Sequence, residues 1–223
     1  MAVGFLDAPL VRVREVCAAW LREVRQAGPP NDLGSGTLAT HLSHLEPLSF
    51  TWTRMLLQET RSAWTAMFLN NTRGADAIPP VSYLCRVLKV RGLVLSCIPQ
   101  VEDPGGRVIS YGEVRFDLLS SEPGFFVNHE RTIYVMNDGG RWSFTAQGKP
   151  QSFEELSAYK ARKVRDRFTP DMLVRYGHAL GVSLDDSDFY TGEGSLLKTG
   201  DKISPGQRPM SLREARKELG LAH

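Results

Sequence analysis

Cysteine is scarce in this 223-residue chain, neither sign of charge prevails, and no apolar run is long. The three cysteines, Cys17, Cys85 and Cys97, stand far apart with no C-x-x-C pair, which excludes a zinc ribbon or a redox dithiol. Cys17 and Cys97 sit in apolar settings and read as small buried hydrophobes. Cys85, beside Leu84, is left as a candidate reactive thiol without a supporting motif. Lys plus Arg number 27 against 25 Asp plus Glu, so no global field draws the chain onto nucleic acid or anionic lipid. The longest apolar stretch, around Gly92–Ile98, falls far short of the roughly 20 residues a membrane helix needs. The opening residues meet an acid at Asp7 and lack the charged start of a secretory signal. A cytoplasmic protein without membrane attachment is the expectation.

Phosphate-binding and nucleophile signatures are missing too. There is no G-x-x-x-x-G-K-[ST], no strand-borne G-x-G-x-x-G and no G-x-S-x-G elbow. No cofactor and no metal are therefore expected. His41 and His44, with Glu46 close by, are the only closely spaced histidines, but Pro47 follows at once and no base lies between them. They are read as surface histidines on a short helix. Asp185, Asp186 and Asp188 fail the calcium-loop spacing, since Tyr190 and Thr191 fall where a ligand and a glycine are needed. They are read as turn and capping carboxylates.

What is present is the composition of a globular domain, 42% hydrophobic and 23% charged. Asp7 and Pro9 predict a helix start, and Val13, Val16, Cys17, Trp20, Leu21 and Val24 form one stripe at helical spacing until Gly28-Pro29-Pro30. Residues 29–37 read as a loop. Alternating aromatic and Thr-rich runs at 50–58 and 62–70 predict an antiparallel hairpin. Pro79-Pro80 opens a short helix, and Val90–Ile98 reads as a central strand with Gly92 as its weak point. A strand over Val108–Leu119 alternates Glu113, Arg115 and Asp117 with apolar residues, which predicts one wet face. Phe125–Met136 fits helix or strand equally, ahead of the turn Asn137–Gly140 and a short strand at Trp142–Ala146.

The last third reads as helical. Ser152 and Glu155 form a capping box for a helix running to Phe168, and Thr169-Pro170 starts another that ends at Gly181. A polar tract, Ser183–Pro209, follows, and Ser211 with Glu214 caps a short terminal helix stopping at Gly220. The sum is an α+β fold, a mainly antiparallel sheet of five or six strands with N- and C-terminal helices packed on one face. Residues 1–182 form a single domain in this reading, and 183–223 a polar wrapping segment with a short helix.

Two features carry chemistry. Asp138-Gly-Gly-Arg141-Trp142 joins a flexible turn to the two side chains most enriched in binding hot spots, although the turn also suits a Trp that enters the core. Lys160, Arg162, Lys163, Arg165 and Arg167, with one acid (Asp166) among them, would give one helix a concentrated basic surface. Arg141, Trp142 and these five cations are the candidate binding residues, with the partner expected to be another protein. The function expected is a non-catalytic interaction protein of the immunity or adaptor kind found in bacteria. Two alternatives stand beside it. One is an enzyme with a dispersed site beside the sheet, using Glu113, Arg115, Asp117 or His129. The other is a nucleic-acid-associated protein using 160–167 with Arg213, Arg216 and Lys217, which the near-zero net charge disfavours.

Overall fold

A computed structural model describes residues 2–72, 77–199 and 209–218. In chain order the elements are β1 (Ala2–Leu6), α1 (Leu10–Arg25), β2 (Asn31–Ser35), α2 (Leu38–Ser43), β3 (Arg54–Gln58), β4 (Thr65–Leu69), α3 (Ile78–Leu88) and β5 (Gly92–Ile98). After these come β6 (Val101–Glu102), β7 (Val108–Ser110), β8 (Glu113–Leu119), β9 (His129–Asp138), β10 (Arg141–Gly148), α4 (Pro170–Ala179), β11 (Glu193–Lys198) and α5 (Leu212–Glu218). Nine strands form one antiparallel sheet in the order β10-β9-β8-β5-β1-β4-β3-β11-β2, and β6 with β7 makes a separate ribbon. The fold is thus mixed α+β around a large antiparallel sheet, with more strands than the five or six expected.

The additional strands have physical reasons for escaping a periodicity reading. β1, Ala-Val-Gly-Phe-Leu, lies mid-sheet between β5 and β4 and is buried from Val3 to Leu6, so it shows no alternation. β2, within the expected loop, is a mostly exposed polar edge strand. β11 lies within the polar tract 183–209 and inserts between β3 and β2, with Leu197 fully buried.

Helices cover both faces of the sheet, which corrects the one-face expectation. On one face α1 and α3 pack Val13, Leu21, Val81 and Leu84 against Met55, Met67 and Leu119. α3 comes unusually close there. A Cβ on Gly4 of β1 would stand 2.6 Å from Val81 Cγ2, and one on Gly92 of β5 would stand 2.3 Å from Cys85 Sγ. Gly92 is therefore a helix–sheet contact rather than a weak point. On the other face α4 brings Met172, Leu173 and Tyr176 onto Phe5, Leu95 and Phe116. Both layers gain from apolar burial at about 25 cal/mol per Å², and neither face could stay wet without losing it.

Local signals held where local contacts decide. The hairpin forms, pairing Met55 with Leu69 and Gln58 with Ala66. Thr169 Oγ accepts from the Met172 N–H at 3.3 Å and starts α4, and Ser211 with Glu214 forms the box that starts α5. The expected stop of α5 at Gly220 lies outside the described residues. α1 departs from expectation: Pro9 takes the N-cap with no side-chain cap, while the Asp7 N–H donates to Arg91 O, and Val24 at the far end is exposed. The expected 108–119 strand breaks at Gly112 into β7 and β8, and 125–136 resolves as a loop followed by β9.

Candidate functional site

β10 begins at a two-residue turn. Gly139 and Gly140 both take positive φ, 67° and 103°, and the register places Arg141 opposite Asp138. That is the primed turn whose twist matches a hairpin, and it demands residues free of a Cβ penalty. Asn137 supports it, its side-chain oxygen accepting from the Gly140 N–H at 2.7 Å. Arg141 is exposed at the head of β10, and Trp142 is half-buried beside Gly112, where a Cβ would meet the indole at 2.7 Å. Trp142 therefore does both things the sequence allowed: one face packs on the protein, and the ring remains reachable.

The segment 152–168 is not a helix. It consists of turns with short 3-10 stretches at Ala158–Lys160 and Val164–Asp166. The reason is a buried ion pair that captures the carboxylate beside the expected capping residue. Arg131 of β9 reaches Glu154 with two bonds, Nε to Oε1 at 2.9 Å and Nη2 to Oε2 at 2.6 Å, with side chains 4% and 0% exposed. Glu154 Oε1 also accepts from the Gln151 N–H, and Oε2 accepts from the Tyr159 hydroxyl. Tyr159 in turn accepts from Tyr176, whose hydroxyl also takes the Glu155 N–H at 2.7 Å. Burial, the neighbouring Tyr176 and the Glu154 charge push the Tyr159 phenol well above its ordinary value, so it stays a donor. Satisfying these buried groups outweighs helix propensity, since leaving one charge unpaired costs several kcal/mol.

Pinned in this way, the segment lies over β10. The Arg165 guanidinium stands 4.7 Å from the Trp142 ring centre, and Arg167 stands 5.8 Å from that of Phe144, on which Tyr159 also packs at 5.2 Å. Such cation–π contacts contribute about 0.5–1 kcal/mol when exposed. Arg167 is half-buried and donates to Ala161 O, so it fixes the segment rather than facing outward. Lys160, Arg162, Lys163 and Arg165 are exposed, and neither they nor Arg141 enter an ion pair among the described residues. The structure thus brings the two candidate features together, although not as the basic helix the sequence suggested. The acidic loop does not neutralise them: Asp185 pairs with His178 at 3.0 Å.

The strand face expected to be wet is only partly so, with Glu113 and Arg115 half-buried and Asp117 covered. Asp117 is fully buried, accepts from Thr132 Oγ at 2.7 Å and from Arg115 Nε, and lies 3.7 Å from His129 Nε2. His129 Nδ1 is held by Phe126 O at 2.8 Å. Arg115, Asp117 and His129 of the enzyme reading do converge, with Asp117 and His129 closed to solvent. A cavity of about 270 Å³ opens elsewhere, between the β1–α1 junction and the β3–β4 turn, lined by Asp7, Pro9, Glu59, Thr60, Ser62 and Thr65. The histidine pair is also corrected: His41 is buried, its Nδ1 bonded to Gln58 Oε1, and only His44 is exposed. Cys85 is buried, and its thiol is pushed up to about 12, against a nucleophile's need for a thiolate.

The loop before β9, where the sequence fits helix or strand equally, is neither. Phe125, Phe126 and Val127 are 46%, 65% and 51% exposed, and Val127 takes a φ of 52°, rare for a β-branched residue. Asn128, buried, donates to Ser82 O and Ser120 O and ties the loop to α3. Two adjacent aromatics after Pro-Gly were the available signal. Among the described residues no helix is long and apolar enough to cross a membrane and no group of three metal-ligating side chains occurs. Comparison with protein families, with curated proteins and with solved structures finds no match to this chain.

Proposed function

We propose that this chain is a non-catalytic interaction protein that docks an acidic protein on the surface built by β10 and residues 158–167. The observation that carries the reading is the stacking of Arg165 on Trp142, with four further exposed cations, Arg141, Lys160, Arg162 and Lys163, and no ion pair among the described residues to consume them. Arg and Trp in one rigid patch are the side chains that dominate interface energies, and uncompensated cations steer an acidic partner into register. The buried Arg131–Glu154 pair supports it by holding the segment in place before binding, which lowers the ordering cost. A cytoplasmic setting accompanies this reading, in keeping with a chain that carries only three, widely spaced cysteines.

The test is affinity capture from the native lysate with the whole chain and with a variant carrying Arg162→Glu, Lys163→Glu and Arg165→Glu. The expected result is a specific protein that survives nuclease treatment and is lost with the variant. A partner retained by the variant sinks the assignment of this surface. A partner released by nuclease favours the nucleic-acid reading instead.

A further inference from the structure

The edge of β10 has unpaired backbone beside the cations. The two-residue turn makes Arg141 and Asp138 a hydrogen-bonded pair, so Arg141, Ser143, Thr145 and Gln147 direct their N–H and C=O groups at β9. Two neighbouring bonds fix the same parity: the Asn137 N–H donates to Gly112 O, toward β8, and the Lys149 N–H donates to Glu130 O. Trp142, Phe144 and Ala146 therefore direct their backbone groups away from the sheet. No described residue bonds to those N–H groups, and the 158–167 segment reaches β10 through side chains alone.

Exposed edges are ordinarily blunted by bulges, proline or inward charge. The opposite edge, β2, follows that practice, with Gly34 at a φ of 68° and a register shift between Gly194 and Ser195. β10 does so only at its last residue, Gly148, whose φ is 87°. Its eight residues pair with β9 without a shift, and no proline lies within it. What flanks it is positive charge, from Arg141 and from Arg165 over Trp142. A second copy of this chain would add its own Arg141 and Arg165 to the positive charge already flanking the edge, and that excess of like charge opposes the pairing. An acidic strand meets no such opposition.

We infer that β10 is a strand-addition site, where an extended acidic segment of another protein pairs with the backbone of Trp142, Phe144 and Ala146 while its carboxylates meet Arg141, Arg162, Lys163 and Arg165. The inference rests on the interaction reading above and adds how the partner is held. Main-chain bonds supply affinity in this mode, and alternate side chains supply selection.

The probe is a nine-residue blocked peptide of alternating Glu and Val, compared with the same peptide N-methylated at alternate residues, which keeps the charge and removes the pairing donors. Amide hydrogen exchange is followed by NMR on the full chain. The first peptide is expected to slow exchange at Trp142, Phe144 and Ala146 by about tenfold or more, leaving Ser143 and Thr145 unchanged, and to bind about tenfold more tightly than the methylated form. Equal binding of both peptides without protection overturns strand addition and leaves acidic docking standing. Binding of neither overturns both. Protection of the three amides without peptide, rising with protein concentration, assigns the edge to a second copy and overturns the acidic occupant.

Discussion

Glu154 shows how one side chain redirects a segment. Its neighbours invite a helix, yet its carboxylate is fully buried against an arginine 23 positions earlier and also serves Gln151 and Tyr159. Glu154→Ala leaves Arg131 buried without a counter-charge, and a loss of about 3–5 kcal/mol in urea unfolding is expected. Tyr159→Phe removes two hydrogen bonds of that network, those to Glu154 and from Tyr176, and about 2 kcal/mol is expected. The capping box was visible in the sequence, but the competing arginine lies on another element, so no local pattern announced it. Cys17 carries the opposite lesson, since its place on the helical stripe gave its burial directly. Burial raises the folded thiols of Cys17 and Cys85 above their ordinary 9.0, so their neutral form is held in the folded chain. Stability is then complete below about pH 9 and falls as rising pH ionises the unfolded thiols, by up to about 1.4 kcal/mol per pH unit for each. Urea midpoints between pH 8 and 10 should show this decline, and Cys17→Ala should make it shallower.

At the scale of elements, the hairpin β3–β4, the start of α3 at its prolines and the cap of α4 were legible because each is set by residues within a few positions. β1 and β11 were not, because their partners are supplied by distant strands and their sequences carry no period-two signature. The α3 contact is equally non-local: Gly4 and Gly92 look like flaws in strands until the helix is laid over them. Gly4→Ala is expected to force α3 outward at a cost of about 1–3 kcal/mol, read as a lower thermal midpoint. The same substitution at Gly28, where nothing lies within 4 Å, is the control and should leave the midpoint nearly unchanged. Arg141, Trp142 and 160–167 were recognised as residues, but only the folded chain shows Arg165 over Trp142 and the unpaired edge beside them.

For the whole molecule, a net charge of +2 conceals an uneven surface, with the basic strip at the β10 edge and carboxylates spread elsewhere. β11 binds the far side of the sheet together, contacting β3 on one flank and β2 on the other. Leu197→Asp, which places a charge where Leu197 is fully buried, should abolish cooperative unfolding followed by circular dichroism. The position of β11 also fixes an order of events during synthesis. Gln58 meets the Glu193 carbonyl across 135 positions of chain. A ribosome that has released β1, β3 and β4 has therefore made a sheet whose flank waits for β11 to emerge. Until then β3 offers the growing chain's own bare edge to any neighbour, so the nascent protein is at its most adhesive before β11 is released, when holding by a chaperone matters most.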